Sequence, residues 1–399
     1  MASDQTSLLR YLSIGLLALV WIYGIYDLAQ GEKQWDFKAY YFAAVAHERG
    51  LDAYDTRVTE QIAGTPIKLS YVYPPLTLWF FRLFTILDFE SAYFAFLILK
   101  LISLVALCLL WRRNLFEGED DLLFLWFVTL AYASTAYWDF VAGNIGVFEQ
   151  TLFWIAMVAL LRKKMIIFTG AIVAISFFKL TFIVFLVLPL LWRDRNALKY
   201  VAMGIAVFGA YLLANYLVAE REFKMLLSVL GVIDERGEVY NHSLLAMVRD
   251  FFDKSEVAKY FSSIPSVVPN AIYIAVVIVI LVISWRALMN RRTRIGESFT
   301  IESIYLACLV YALAMPRMKS YSFILLIPAS YYVIRKCVKP EAFIYLFMIL
   351  ALTKWTPLPM PDFIRFLWWY FPWLSALLIW ILFVRHLTQS KDTAQLIQR

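Results

Sequence analysis

Long apolar runs, cut at irregular intervals by short polar clusters, dominate the chain from Tyr11 onward. Roughly 20 apolar residues in a row can cross hydrocarbon as a helix, which satisfies its own backbone there. Several runs are shorter, so the basic clusters must decide between one long span and two. These are Arg112-Arg113, Arg162-Lys163-Lys164, Arg193 with Arg195 and Lys199, Arg286 with Arg291, Arg292 and Arg294, Arg335-Lys336 with Lys339, and Arg385 with Lys391. If all of them share the cytoplasmic side with Arg10, each interval between clusters holds an even number of crossings.

This parity predicts about 12 spans, at roughly 11–29, 91–111, 122–138, 147–161, 165–178, 180–192, 197–218, 270–289, 299–315, 321–334, 341–353 and 364–385. Both termini are then cytoplasmic. The segment Pro74–Leu87 is apolar, but a full crossing there would break the parity, so it reads as a re-entrant or interfacial helix. Two large pieces, about 30–90 and 219–269, fall on the opposite, outer face, together with short apices at Asp139–Asn144, Lys179, Pro316–Tyr321 and Lys354–Asp362. The piece from Arg221 to Ser262 is charged and amphipathic, which suits helices capping a bundle. The fold expected is an all-α polytopic membrane bundle, one domain over 1–399.

Composition agrees with lipid as the solvent: 62% of the 399 residues are hydrophobic and 18% aromatic, with 14 Trp and 24 Tyr suited to headgroup depth. The first apolar stretch, Tyr11–Leu28, lacks a small-residue cleavage site and is expected to stay as a span. The net charge of +7 sits at the ends of apolar segments and not in aromatic-laced basic patches, so no nucleic-acid partner is expected. Cys108, Cys308 and Cys337 show neither disulfide nor metal-ligand spacing, and no metal or other cofactor is expected.

Chemistry collects on the outer face. Trp35-Asp36-Phe37-Lys38-Ala39-Tyr40-Tyr41 sets a carboxylate among rings at the membrane surface, a candidate general base. In Tyr73-Pro74-Pro75 the prolines force extended backbone ahead of a helix that can start at Pro75. Lys179 lies between two apolar runs, and Arg317 and Lys319 lie at an outer apex where the positive-inside bias disfavours cations, so an anionic partner would account for all three. Asn144, Asn241, His242 and Tyr321 add polar groups for a substrate groove, and Glu149 is a carboxylate at a span's start; Asn241 and Glu149 also have ordinary helix-end readings. No Walker loop, dinucleotide fingerprint, Asp-x-Asp pair or hydrolase elbow stands out. An outward carboxylate with outward cations points to a reaction fed from the membrane, with a lipid phosphate as leaving group.

In order, Trp35-Asp36-Phe37 with Tyr40-Tyr41, Tyr73-Pro74-Pro75-Leu76, Gly143-Asn144, Lys179, Asn241-His242-Ser243-Leu244 and Pro316-Arg317-Met318-Lys319 resemble glycosyltransferase family 87. That family belongs to the GT-C superfamily and includes bacterial mannosyl- and arabinofuranosyltransferases. The resemblance implies a GT-C-type bundle in the inner (plasma) membrane and a polyprenyl monophosphate donor carrying a mannose-like or pentose sugar. It further implies a lipid or glycan acceptor, inverting transfer on the periplasmic or outer face, and a catalytic Asp that maps onto Asp36. Lys179 is followed by Leu180 where several relatives have Pro, and the late motif lacks the His of several relatives. The competing class is a transporter or flippase for a lipid-linked anion or sugar. It would need polar residues through both leaflets, and polarity here is one-sided, apart from residues such as Lys100 and Glu302, which are placed near span ends.

Overall fold

The structure is a computed structural model, and it describes residues 2–30, 33–67, 69–192, 196–232, 236, 241–254, 267–291, 297–351 and 361–389. Arg193, Arg195, Arg292, Arg294, Lys391 and positions 352–360 of one expected apex lie outside the described residues. Among the described residues all regular structure is helical, and the chain divides into two compact units.

The first unit comprises Met1–Trp126 and Tyr137–Ile233. It holds α1 (Ala2–Ala29), α2 (Trp35–Glu48), α3 (Thr56–Ala63), α4 (Leu78–Phe81), α5 (Phe89–Asn114), most of α6 (Asp121–Ala142), α7 (Gly146–Leu161), α8 (Met165–Ser176), α9 (Ala197–Val218) and α10 (Glu220–Val232). Helix α5 shows why these segments form. Asp88 accepts from the Ser91 N–H at 3.0 Å as N-cap, Glu90 sits in the first turn, and Arg112 and Arg113 sit in the last, each charge complementing the dipole. Helix α7 packs against α5 and α8, and α8 against α9 and the 3-10 helix Leu180–Trp192. Much of α1 exposes leucines, among them Leu9, Leu12, Leu16 and Leu19, a surface suited to lipid and not to water.

Helix α2 was not expected from the sequence, which assigned a helix within the outer piece 30–90 only at Pro74–Leu87. It forms because Ala39, Ala43, Ala44 and Ala46 are good helix formers and pack closely. It also buries Phe37, whose ring stacks on Phe96 of α5 at 4.3 Å between centroids. The Pro74–Leu87 stretch becomes a 3-10 turn at Pro75–Thr77, α4, and a second 3-10 turn at Arg82–Phe84, so it is short and broken, in keeping with its reading as less than a full span.

The second unit comprises Phe127–Ala136 and Asp234–Arg399. It holds the middle of α6, α11 (Leu244–Lys254), α12 (Val267–Arg291), α13 (Glu297–Ala314), α14 (Ile327–Lys336), α15 (Pro340–Ala351), α16 (Asp362–Trp369) and α17 (Phe371–Gln389). Here α17 packs on α12, α13 and α14. The expected span 364–385 is two helices, parted at Tyr370, with Pro372 in the first turn of α17 where its missing N–H costs nothing. Inside α6 the helix is interrupted by left-handed Tyr132, Ala133 and Ser134, at φ 53°, 56° and 59°. Such residues cost about 1–2 kcal/mol each. The Tyr132 hydroxyl, 2.6 Å from Ser330 Oγ, and the Thr135 hydroxyl, donating to the Ser320 carbonyl at 2.5 Å, offset part of that.

Among the described residues helices occupy nearly every expected span, yet five of them are long and apolar enough to cross a membrane: Leu8–Ala29, Phe89–Asn114, Ala197–Val218, Val267–Asn290 and Phe371–Gln389. A sixth arises if α6 and α7, bent by 118°, count as one broken span. The others fall short by length: a 12-residue helix such as α8 rises only about 18 Å, against about 30 Å of hydrocarbon.

Candidate active site

Asp36 occupies the first turn of α2 and is buried. Its neighbour at i+4, Tyr40, lies on the same helix face. The residue that joins them comes from far along the chain. Asn144, in the turn between α6 and α7, donates through Nδ2 to Asp36 Oδ2 at 2.6 Å and to the Tyr40 hydroxyl at 2.8 Å. A carboxylate can only accept, so the amide nitrogen is the end that faces it. Tyr73 completes the cluster, its hydroxyl 3.1 Å from that of Tyr40 and 3.5 Å from Asn144 Nδ2.

The proline pair places Tyr73. Pro74 is extended at φ −55° and ψ 147°, and Pro75 opens the 3-10 turn. The Thr77 hydroxyl donates to the Pro74 carbonyl at 2.5 Å, and Asn215 of α9 accepts the Leu76 N–H at 2.9 Å. Tyr54 donates to the Tyr73 carbonyl at 2.7 Å. Burial pushes the Tyr73 phenol well above the ordinary tyrosine range, and the charge of Glu149 adds to the effect, so Tyr73 is a neutral hydrogen-bond donor at physiological pH.

Glu149 is buried in the first turn of α7, with Oε2 3.5 Å from Lys179 Nζ. Lys179 is half-buried beyond the end of α8, its ammonium 5.6 Å from the Phe182 ring centroid. Trp35 is half-buried in the first turn of α2, while Tyr41 points away from the cluster, donating to the Leu87 carbonyl at 2.8 Å and packing on Phe89.

A second charged pair in this unit escaped the sequence reading. Lys100, which the apolar pattern placed near a span's end, sits midway along α5 with no exposure, and Asp139 of α6 is equally buried beside it at 2.7 Å. A lysine and an aspartate within apolar runs each need a partner in lipid, and pairing the two opposite charges was the signal available.

In the second unit, Asn241 and His242 are buried and bonded mainly to backbone. Asn241 donates to the Pro316 carbonyl at 3.2 Å and accepts the Met318 N–H at 3.0 Å. The Trp369 carbonyl, 2.5 Å from His242 Nδ1, can only accept, which assigns the proton to Nδ1; Nε2 then accepts from Ser320 Oγ at 2.6 Å. Ser243 Oγ donates to the Pro316 carbonyl at 2.6 Å. Together these bonds fasten the loop carrying Arg317, Lys319 and Tyr321, which are themselves partly exposed. The structure therefore joins Asp36, Tyr40, Tyr73 and Asn144 in one cluster, and joins Asn241 and His242 to the 316–320 loop in another. Among the described residues no group of three or more His, Cys, Asp or Glu is placed to hold a metal ion.

The model of glycosyltransferase family 87 matches residues 71–316, which include Tyr73, Asn144, Lys179, Asn241 and His242; Asp36 and Tyr40 precede the matched segment and Arg317 and Lys319 directly follow it. No curated protein and no solved structure matches the chain. With more than half of its length so matched and with several helices fit to cross a bilayer, the chain belongs to glycosyltransferase family 87 and is a membrane glycosyltransferase.

Proposed function

We propose that the chain transfers a sugar, mannose-like or pentose, from a polyprenyl monophosphate donor to a lipid or glycan acceptor, with inversion and on the outer face of the plasma membrane. The observation that carries the reading is the buried Asp36 held by Asn144 and flanked by Tyr40 and Tyr73. Asp36 is the general base: it takes the proton of the acceptor hydroxyl as that oxygen attacks the anomeric carbon and the bond to phosphate breaks. A single carboxylate suffices, because inversion is one displacement and the departing phosphate needs no strong acid. The electron pair of the broken bond leaves on the phosphate.

Lys179, Arg317 and Lys319 are the candidates for offsetting charge on that phosphate, each by its own contact. Asn241 and His242 serve the groove by holding the loop that bears two of these cations and Tyr321. Trp35, Pro74 and Pro75 shape the walls, and Tyr41 supports α2 from behind. About 12 crossings, with both termini cytoplasmic, remain the arrangement that the charge parity favours.

Purified protein in liposomes, given polyprenyl-phosphate mannose or a pentose counterpart and a mixed lipid acceptor, is expected to release free polyprenyl phosphate. In that assay Lys179→Gln, Arg317→Gln and Lys319→Gln should each raise donor KM more than they lower kcat. Movement of intact donor between leaflets with no phosphate release would favour the flippase class instead.

A further inference from the structure

We propose that Lys100 and Asp139 are positioning residues for transfer: their buried ion pair fixes the turn between α6 and α7 and so aims the Asn144 amide at Asp36. The proposal rests on the reading of Asp36 as the base. A lysine ammonium has three hydrogens. Those of Lys100 meet Asp139 Oδ2 at 2.7 Å, the Asp139 carbonyl at 2.6 Å and the Asn144 carbonyl at 2.6 Å. The three acceptors bracket one short segment, whose two ends are thereby tied to a single atom of α5. The rings of Phe140 and Phe96 close over the ammonium at 5.0 and 5.7 Å.

The rest of the turn is built to the same shape. Asp139 Oδ2 also accepts the Val147 N–H at 3.3 Å, which fixes the start of α7, and the Asn144 N–H returns to the Asp139 carbonyl at 3.2 Å. Gly143 is left-handed at φ +67°, and a Cβ there would run into Gln34 Cβ at 2.5 Å. That contact matters because the Gln34 N–H donates to the Val141 carbonyl at 2.8 Å, tying the residue before α2 to the same turn. A side chain at Gly146 would collide with the Asp139 carboxylate. Both partners of the Asn144–Asp36 bond are thus anchored to one frame, with the ion pair at its centre.

Stability alone does not account for the pair. Replacing a buried ion pair with apolar residues of similar volume is often neutral or stabilising, so a gain in stability is weak grounds for having one here. Geometry supplies a use: Asn144 has no long side chain to take up slack, and its amide must reach Asp36 at 2.6 Å. A misplacement of about 1 Å in such a constellation can cost roughly 100-fold in rate.

Full-length protein in liposomes is assayed as wild type, as the joint variant Lys100→Met/Asp139→Leu, as Asn144→Ala, as the triple combination, and as Asp36→Asn. The joint variant is expected to keep its helix content and its donor KM within about 3-fold while kcat falls roughly 100-fold. Asn144→Ala should do the same, and the triple variant should be no slower than either, because both act through one amide. A purely structural pair would instead leave kcat of the folded protein unchanged. Native kcat in the joint variant beside an inactive Asp36→Asn enzyme overturns the proposal and leaves the base assignment standing. Native turnover in Asp36→Asn overturns the base assignment and the proposal with it. Should the joint variant fail to fold, Asp139→Asn keeps the shape and the backbone acceptors; it carries the same expectation of lower kcat at retained donor KM, and native kcat there overturns the proposal.

Discussion

The two polar clusters differ in what their side chains bond to. In the first unit Asn144, Asp36, Tyr40 and Tyr73 bond one another, side chain to side chain, around a carboxylate. In the second, Asn241, His242 and Ser243 bond mostly to backbone carbonyls at Pro316 and Trp369. Side chains that bond backbone fasten a loop, since they supply what the loop's own peptide groups lack. Side chains gathered on a carboxylate orient a group that can exchange a proton. On the proposed reading, equal burial and equal polarity serve different functions, and the bonding partner separates them.

The largest effect on stability is expected where that contrast is sharpest. Lys100→Met alone leaves Asp139 buried without its cation, a loss of about 3–5 kcal/mol, whereas the joint replacement of both residues should be close to neutral. Thermal unfolding in detergent of the single and joint variants would read this difference. A single variant as stable as wild type would mean that the aspartate has another source of compensation and that the frame is looser than described.

A smaller change should follow in the second cluster. His242→Ala strands the Ser320 hydroxyl and the Trp369 carbonyl, a cost of about 1–3 kcal/mol. Its kinetic mark should be a raised donor KM with kcat largely kept, because the loosened loop bears Arg317 and Lys319. A fall in kcat at unchanged KM would erase the distinction between fastening and chemistry.

The smallest effect is a null over the working pH range. Burial raises the phenols of Tyr71 and Tyr73, so the folded state holds their protons more tightly than the unfolded state does. Their contribution to stability is complete below about pH 10, the unfolded tyrosine value, and is lost as pH rises further. Absorbance titration should show that Tyr71→Phe/Tyr73→Phe removes amplitude only from the cooperative alkaline unfolding step. Loss from the gradual titration of exposed tyrosines would mean that the cluster is open to water.

Much of this was legible in the chain. Apolar runs located most of the long helices, and Asp36, Tyr73 and Asn144 drew notice as polar residues beside membrane segments. The contact between Asp36 and Asn144 was not legible, because it bridges 108 positions and no local periodicity records it. Helix α2 was hidden for a different reason: its aromatics look like an interfacial belt, and only the fold shows that Phe37, Tyr40 and Tyr41 are buried in one core with Phe96. Lys100 was hidden by its own flanks, since one lysine in an otherwise apolar run resembles a boundary until Asp139 is found opposite it. The two-helix ending was missed because the apolar pattern continues across Tyr370 and Phe371 without a polar break.

Turnover of Asp36→Asn in liposomes, measured at saturating donor beside a donor-binding assay on the same preparation, decides whether Asp36 is the base. The exchange keeps size and the contact with Asn144 while removing the base, so donor binding should persist and transfer should fall by a factor on the order of 10² to 10⁴. Turnover close to wild type with intact donor binding would rule Asp36 out as the base and move that role to another carboxylate, Glu149 first among them.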